Sequence, residues 1–194
     1  MLAALISIPA NLGYAAVLAL IAIETMGIPV PGETALIAAA LLAHDGQMDI
    51  GTLIVVASAA AILGDNVGFV LGRRFGRRVF VMPGPLHGQR LRVLEVGEPF
   101  FAKHGPKAVF LGRWVSGLRI ASAWLAGMNK MSWPVFLFWN ALGGIAWATS
   151  IGVGVYLLGN VAEDIIKVAG PGAAVLAVIA IIAFVVWHRR KAGT

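Results

Sequence analysis

Two acids and two arginines stand in stretches that are otherwise apolar enough for a membrane interior. The acids are Glu24 and Glu33, and residues 1–43 hold no base and no other acid. The arginines are Arg113 and Arg119, in the run Gly112-Arg113-Trp114-Val115-Ser116-Gly117-Leu118-Arg119. An ionisable group at membrane depth costs several kcal/mol, so such groups usually face a cavity, a partner or a substrate path. A carboxylate there can bind a proton, its pKa raised by desolvation and lowered by a neighbouring arginine. A guanidinium stays charged when buried, and its planar fork suits phosphate or carboxylate.

Both pairs lie on a broken backbone. Pro29-Val30-Pro31-Gly32-Glu33 combines two φ-locked residues with a permissive one. The prolines remove backbone donors and interrupt a helix, leaving carbonyls free to line a cavity. A helix starting near Gly32 would favour Glu33 at its positive end. Arg113 and Arg119 are six positions apart, so a single helix would not align them, whereas a turn at Ser116-Gly117 lets them converge. Two readings stand side by side: structural ion pairs with Glu24 and Glu33, or a clamp for an anionic headgroup that displaces those acids. Asp65 either binds a proton or caps a hairpin backbone.

The elements that must position these groups follow from composition. Of 194 residues, 59% are hydrophobic and 12% charged, against about 25% charged in a soluble domain. The chain reads as one all-α polytopic membrane domain. It has no cysteine, hence no disulfides or thiol chemistry, and no basic segment of a signal peptide precedes Glu24. The net charge of +6 fits membrane topology, with no nucleic-acid site.

A spanning helix needs about 20 apolar residues. Residues 50–72, 132–159 and 170–187 meet that, while 9–43 and 105–129 are broken segments. Bases concentrate in 73–107, at Lys130 and at Arg189, Arg190 and Lys191, whereas 44–49 and 160–169 carry mostly acids. The positive-inside rule then places 73–104, Lys130 and the C-terminus in the cytoplasm, and 44–49 and 160–169 outside. On that topology 105–129 enters and leaves by one face, as a re-entrant hairpin. Segment 9–43 is a broken span or a second re-entrant hairpin from the opposite face. The expected fold is two inverted re-entrant hairpins, each followed by a transmembrane helix, plus a C-terminal transmembrane helix, an architecture used by transporters.

Gly64, Gly68, Gly72 and Gly76 recur every fourth residue and form a stripe for close helix contact, within the chain or in a homo-oligomer. Asn140 is placed to hydrogen-bond the second hairpin; Trp139 and Trp147 read as packing or interfacial residues. Residues 73–107 read as a solvated basic loop, although Leu91, Leu94 and Phe101 allow a short interfacial helix. His44, His87, His104 and His188 lack metal-ligand spacing, and no nucleophile, phosphate-loop or metalloprotease motif is present. No enzyme activity, metal or cofactor is expected.

In combination, Glu24…Pro29-x-Pro31-Gly32-Glu33, Gly64-Asp65-x-x-Gly68-Phe69-x-x-Gly72-Arg73, Lys103-His104-Gly105, Arg113-x5-Arg119, Ala126-Gly127-x-x-x-Met131 and Phe136…Asn140-x-x-Gly143 resemble the DedA family of bacterial membrane proteins, the VTT or SNARE-associated domain. The resemblance spans roughly residues 15–160. Phe69 departs from it, since the family usually has Tyr there. It implies a multi-pass protein of the bacterial inner membrane that flips undecaprenyl phosphate or a related polyprenyl or phospholipid, with proton coupling. It also implies that Arg113 and Arg119 bind the phosphate and that Glu24, Glu33 and Asp65 relay charge, with Pro29, Pro31, Gly32, Gly64, Gly68, Gly72 and Asn140 shaping the site. Alternatives are an uncoupled phospholipid scramblase, a small-ion transporter and a membrane-homeostasis factor.

Overall fold

A computed structural model describes residues 10–84, 87–115 and 118–169. Helix α1 (Ala10–Thr25) stops where Gly27 takes φ +110° and Pro29 and Pro31 forbid further helical hydrogen bonds. Helix α2 (Gly32–His44) starts directly after Pro31 and carries Glu33 in its first turn, where the helix dipole favours an acid. It is 13 residues, about 20 Å, short of the roughly 30 Å hydrocarbon core. Gly46, at φ +74°, ends the turn after it.

Helix α3 (Ile50–Phe75) is capped by Asp49, whose carboxylate accepts from the Thr52 amide and hydroxyl at 2.7 Å each. Two short elements follow, α4 (Arg78–Val81) and α5 (His87–His104). A 3-10 turn (Gly105–Lys107) leads into α6 (Ala108–Gly112), and α7 (Leu118–Met128) follows. Helix α8 (Trp133–Ala169) closes the described chain. Every element among the described residues is helical, and α3 and the 133–159 part of α8 are long and apolar enough to cross a membrane.

Two buried clusters share α3 and α8. One joins α1, α2, α3 and α8 through Val17, Ile21, Leu36, Leu53, several alanines and Trp147. The other joins α3, α5, α6, α7 and α8 through Phe69, Leu94, Phe101, Leu118, Leu125 and Phe136. The outward faces are apolar too: Val55, Leu63 and Val70 on α3, and Phe138, Ile145 and Leu158 on α8, are exposed. A helix in water would turn polar residues outward, so these faces suit lipid.

Two expectations are corrected. Within 73–107 the preferred solvated loop gives way to the helix that Leu91, Leu94 and Phe101 allowed: α5 has 18 residues, and its Leu94, Gly97 and Phe101 are buried, with Gly97 against Leu118 and Leu125 of α7. The spacing of those residues makes one helical stripe, which outweighs the surrounding charge. Residues 160–169 are not a connector, because α8 runs on to Ala169. Glu163 and Asp164 do not break a helix; the first breakers are Gly170 and Pro171. The expected span at 170–187 lies outside the described residues.

Candidate functional site

Three helix ends converge between the two clusters. Glu24 is the penultimate residue of α1, Glu33 the second of α2 and Arg119 the second of α7. Close approach of α2 to α1 depends on Gly32, where a Cβ would lie 2.9 Å from both Ile21 Cα and Leu20 O and 2.6 Å from Glu24 Oε2. The Glu33 amide then donates to Glu24 Oε2 at 3.1 Å, closing the tip across nine residues.

Arg119 joins both acids through one nitrogen. Its Nη2 lies 2.9 Å from Glu24 Oε1 and 3.0 Å from Glu33 Oε2. Burial is graded across this triad: the side chain of Glu24 is 7% exposed, Arg119 18% and Glu33 39%. Behind Arg119, the ring of Trp147 on α8 has its centroid 5.6 Å from the guanidinium carbon, within cation–π range.

Arg113 has different partners. It caps the C-terminus of α6, and its Nη2 donates to Asp65 Oδ2 and, at 2.8 Å, to Asn140 Oδ1. Asn140 in turn donates to Ile62 O at 3.3 Å, tying α8 to α3. Both charged side chains are sealed, Arg113 at 2% and Asp65 at 3% exposure. Two α8 glycines make the seat: a Cβ on Gly143 would lie 3.0 Å from Arg113 Cδ, and one on Gly144 3.6 Å from its Nη2.

The glycine stripe of α3 lets these parts meet. A Cβ on Gly64 would overlap Thr25 Oγ1 and Ala22 O of α1; one on Gly72 would overlap the backbone of Trp124 in α7. Gly68 faces the Trp124 indole at 3.2 Å, while Gly76 ends the helix at φ +59°. Three of the four glycines thus mediate contact within the chain. Pro29 and Pro31 sit on the exposed tip between α1 and α2.

The residues singled out in the sequence therefore separate into two centres. Arg119 gathers both glutamates, and Arg113 pairs with Asp65 rather than with either of them. Three carboxylates face two guanidiniums, leaving one negative charge in excess when all are ionised. Phe69 stacks on Phe136 at 4.3 Å, with no hydroxyl to offer either centre. Two tryptophans join the site beyond the sequence expectation. Trp124 donates from Nε1 to Met26 O at 2.7 Å, lashing α7 to the α1–α2 tip, and Trp147 lies under Arg119. The available signal was chemical: an indole N–H at apolar depth needs an acceptor.

Comparison with known proteins identifies the family. The family model for the VTT domain matches residues 30–157. An uncharacterized membrane protein of Mycobacterium tuberculosis is 38% identical over 179 residues, covering 90% of this chain and 82% of the relative. A Synechocystis membrane protein, also uncharacterized, is 36% identical over 149 residues, 77% of this chain and 68% of the relative. Protein DedA of Escherichia coli is 29% identical over 167 residues, 84% of this chain and 76% of the relative. No solved structure matches the chain. With the VTT model covering most of the residues that build both arginine centres, the chain is a membrane protein of the DedA family.

Proposed function

We propose that this protein carries a lipid phosphate across the bacterial plasma membrane, undecaprenyl phosphate or a related polyprenyl or phospholipid, with proton coupling. The observation that carries this reading is Arg119, a guanidinium at apolar depth held by two carboxylates of unequal exposure. Glu24 is the inner brace, fixed also by the Glu33 amide. Glu33 is the exchangeable partner, since it is more than twice as exposed as Arg119 itself. A phosphate approaching Arg119 displaces the Glu33 carboxylate, and a proton taken up there removes the repulsion between the two anions. Arg113 serves first as a brace with Asp65 and Asn140, and joins the phosphate only if that sealed centre opens.

The short helices support two oppositely inserted re-entrant hairpins, α1–α2 and α6–α7. At 13 and 11 residues, α2 and α7 are about 20 and 17 Å long, and neither crosses a bilayer of roughly 30 Å. Tips meeting at mid-depth give a substrate one relay point instead of a continuous pore. The positive-inside rule supports a cytoplasmic side for the basic residues of 73–104 and, from Arg189, Arg190 and Lys191, for the C-terminus.

The test is translocation of a fluorescent polyprenyl phosphate in proteoliposomes, with and without a pH gradient. The expected result is transport that follows the gradient and disappears in Arg119→Ala. Equal transport by wild type and Arg119→Ala would sink the proposal. Transport that needs Arg119 but ignores the gradient would replace coupling by uncoupled scrambling.

A further inference from the structure

Trp147 belongs to neither carboxylate pair, yet it touches the guanidinium that both glutamates share. It is 3% exposed and, among the described residues, is the only aromatic among the buried members of a cluster otherwise built of aliphatic side chains and Met48. Glu24 and Glu33 both hold the same terminal nitrogen of Arg119. Contact at one nitrogen fixes a point and leaves the plane of the guanidinium to turn about it. The ring, 5.6 Å from the guanidinium carbon, supplies the second constraint. A guanidinium is weakly hydrated and stacks on aromatic faces, and such contacts strengthen where water is excluded.

We infer that the indole face of Trp147 is the fixed seat of Arg119, holding its guanidinium in position while the anion on it changes from the Glu33 carboxylate to a phosphomonoester. This rests on the reading of Arg119 as the headgroup site. Trp147 is a positioning residue, not a ligand of the phosphate. Its helix is stationary relative to the exchange, because the same helix carries Asn140, Gly143 and Gly144, which seat Arg113. Without the ring, Arg119 keeps only Glu24, at a single nitrogen, as a partner that does not leave, and the anion must then order a mobile guanidinium plane on binding.

The experiment measures binding of a short-chain prenyl phosphate and of inorganic phosphate to the full chain in nanodiscs. Position 147 carries tryptophan, tryptophans of rising fluorine content, or leucine. Fluorination drains the electron density of the ring face and keeps its shape. The expected result is stepwise loss of affinity with fluorine content at unchanged unfolding temperature, and a loss of roughly tenfold or more in Trp147→Leu. Stepwise loss for both probes assigns a seat serving any phosphate anion; stepwise loss for the lipid alone assigns one serving a lipid headgroup. Affinity independent of fluorine content, with wild type binding normally, overturns the seat and leaves the headgroup reading standing. No binding of either probe by wild type removes both.

Discussion

Arg113 and Arg119 leave the same short turn and meet opposite surroundings. Arg113 has one carboxylate, one amide oxygen and no access to the outside; its centre is filled by partners from α3 and α8, two long helices that pack along their length. Arg119 has two carboxylates from the ends of α1 and α2, and one of them is more than a third exposed. A charge locked among rigid helices is a brace. A charge shared by a surplus of partners on helix ends can exchange one of them. Neutrality sets the difference: the Arg113 centre balances, and the Arg119 centre carries the excess negative charge.

Breaking the balanced centre should have the largest effect. Arg113→Ala strands Asp65 in a dry interior and should cost about 3–5 kcal/mol, seen as lost thermal stability in detergent. Replacing both partners with apolar residues, Arg113→Met with Asp65→Leu, should recover most of that loss. Should the single change prove harmless, the Arg113 centre would not be the brace. Arg119→Ala should cost less, about 1–3 kcal/mol, because one of its two partners, Glu33, is partly solvated, while lipid translocation falls to background. Glu33→Gln should change stability by under about 1 kcal/mol, given its exposure. In that variant translocation continues but no longer responds to a pH gradient; a retained response would move the titrating role to Glu24.

The smallest effect is expected at the far end of α3, where a carboxylate works in water. Hydrogen bonds from Thr52 hold the Asp49 carboxyl below the usual carboxylate range. A depressed folded-state pKa gives stability that is present above the unfolded pKa and lost as pH falls through the folded one. Asp49→Asn keeps a capping oxygen, so neutral-pH stability should hold while the acid-side loss shrinks. Identical acid profiles for wild type and Asp49→Asn would show that the cap does not contribute to acid sensitivity.

Charge in an apolar run is readable without a structure, and so Glu24, Glu33, Asp65, Arg113 and Arg119 were all visible as costly residues. The glycine repeat of α3 was equally legible, because small residues at fixed spacing state how near a neighbour comes. Pairing was not. Arg113 and Asp65 are 48 positions apart and Arg119 and Glu24 are 95 apart, and which acid meets which arginine depends on how Arg113 is seated against Gly143 and Gly144. Local charge also misled. The stripe of Leu94 and Phe101 in α5 was visible, but the bases around it favoured a solvated loop, and two acids gave the look of a loop to a helix that runs on to Ala169. Trp147 was read as packing because its partner is a side chain on another helix.

The distance in sequence between Glu24 and Arg119 also sets a schedule. Glu24 is synthesised 95 residues before the base that neutralises it. At about 5–20 residues per second, that interval is on the order of 5 to 20 s. On the proposed re-entrant arrangement, an ionised α1–α2 tip would for that time have no Arg119 counterion at membrane depth, where it costs several kcal/mol. The hairpin must therefore wait near the membrane surface or enter with its carboxyls protonated. Either way, the last step of its insertion belongs to the arrival of α7, and a nascent chain cut short before Arg119 should leave its N-terminal hairpin unburied.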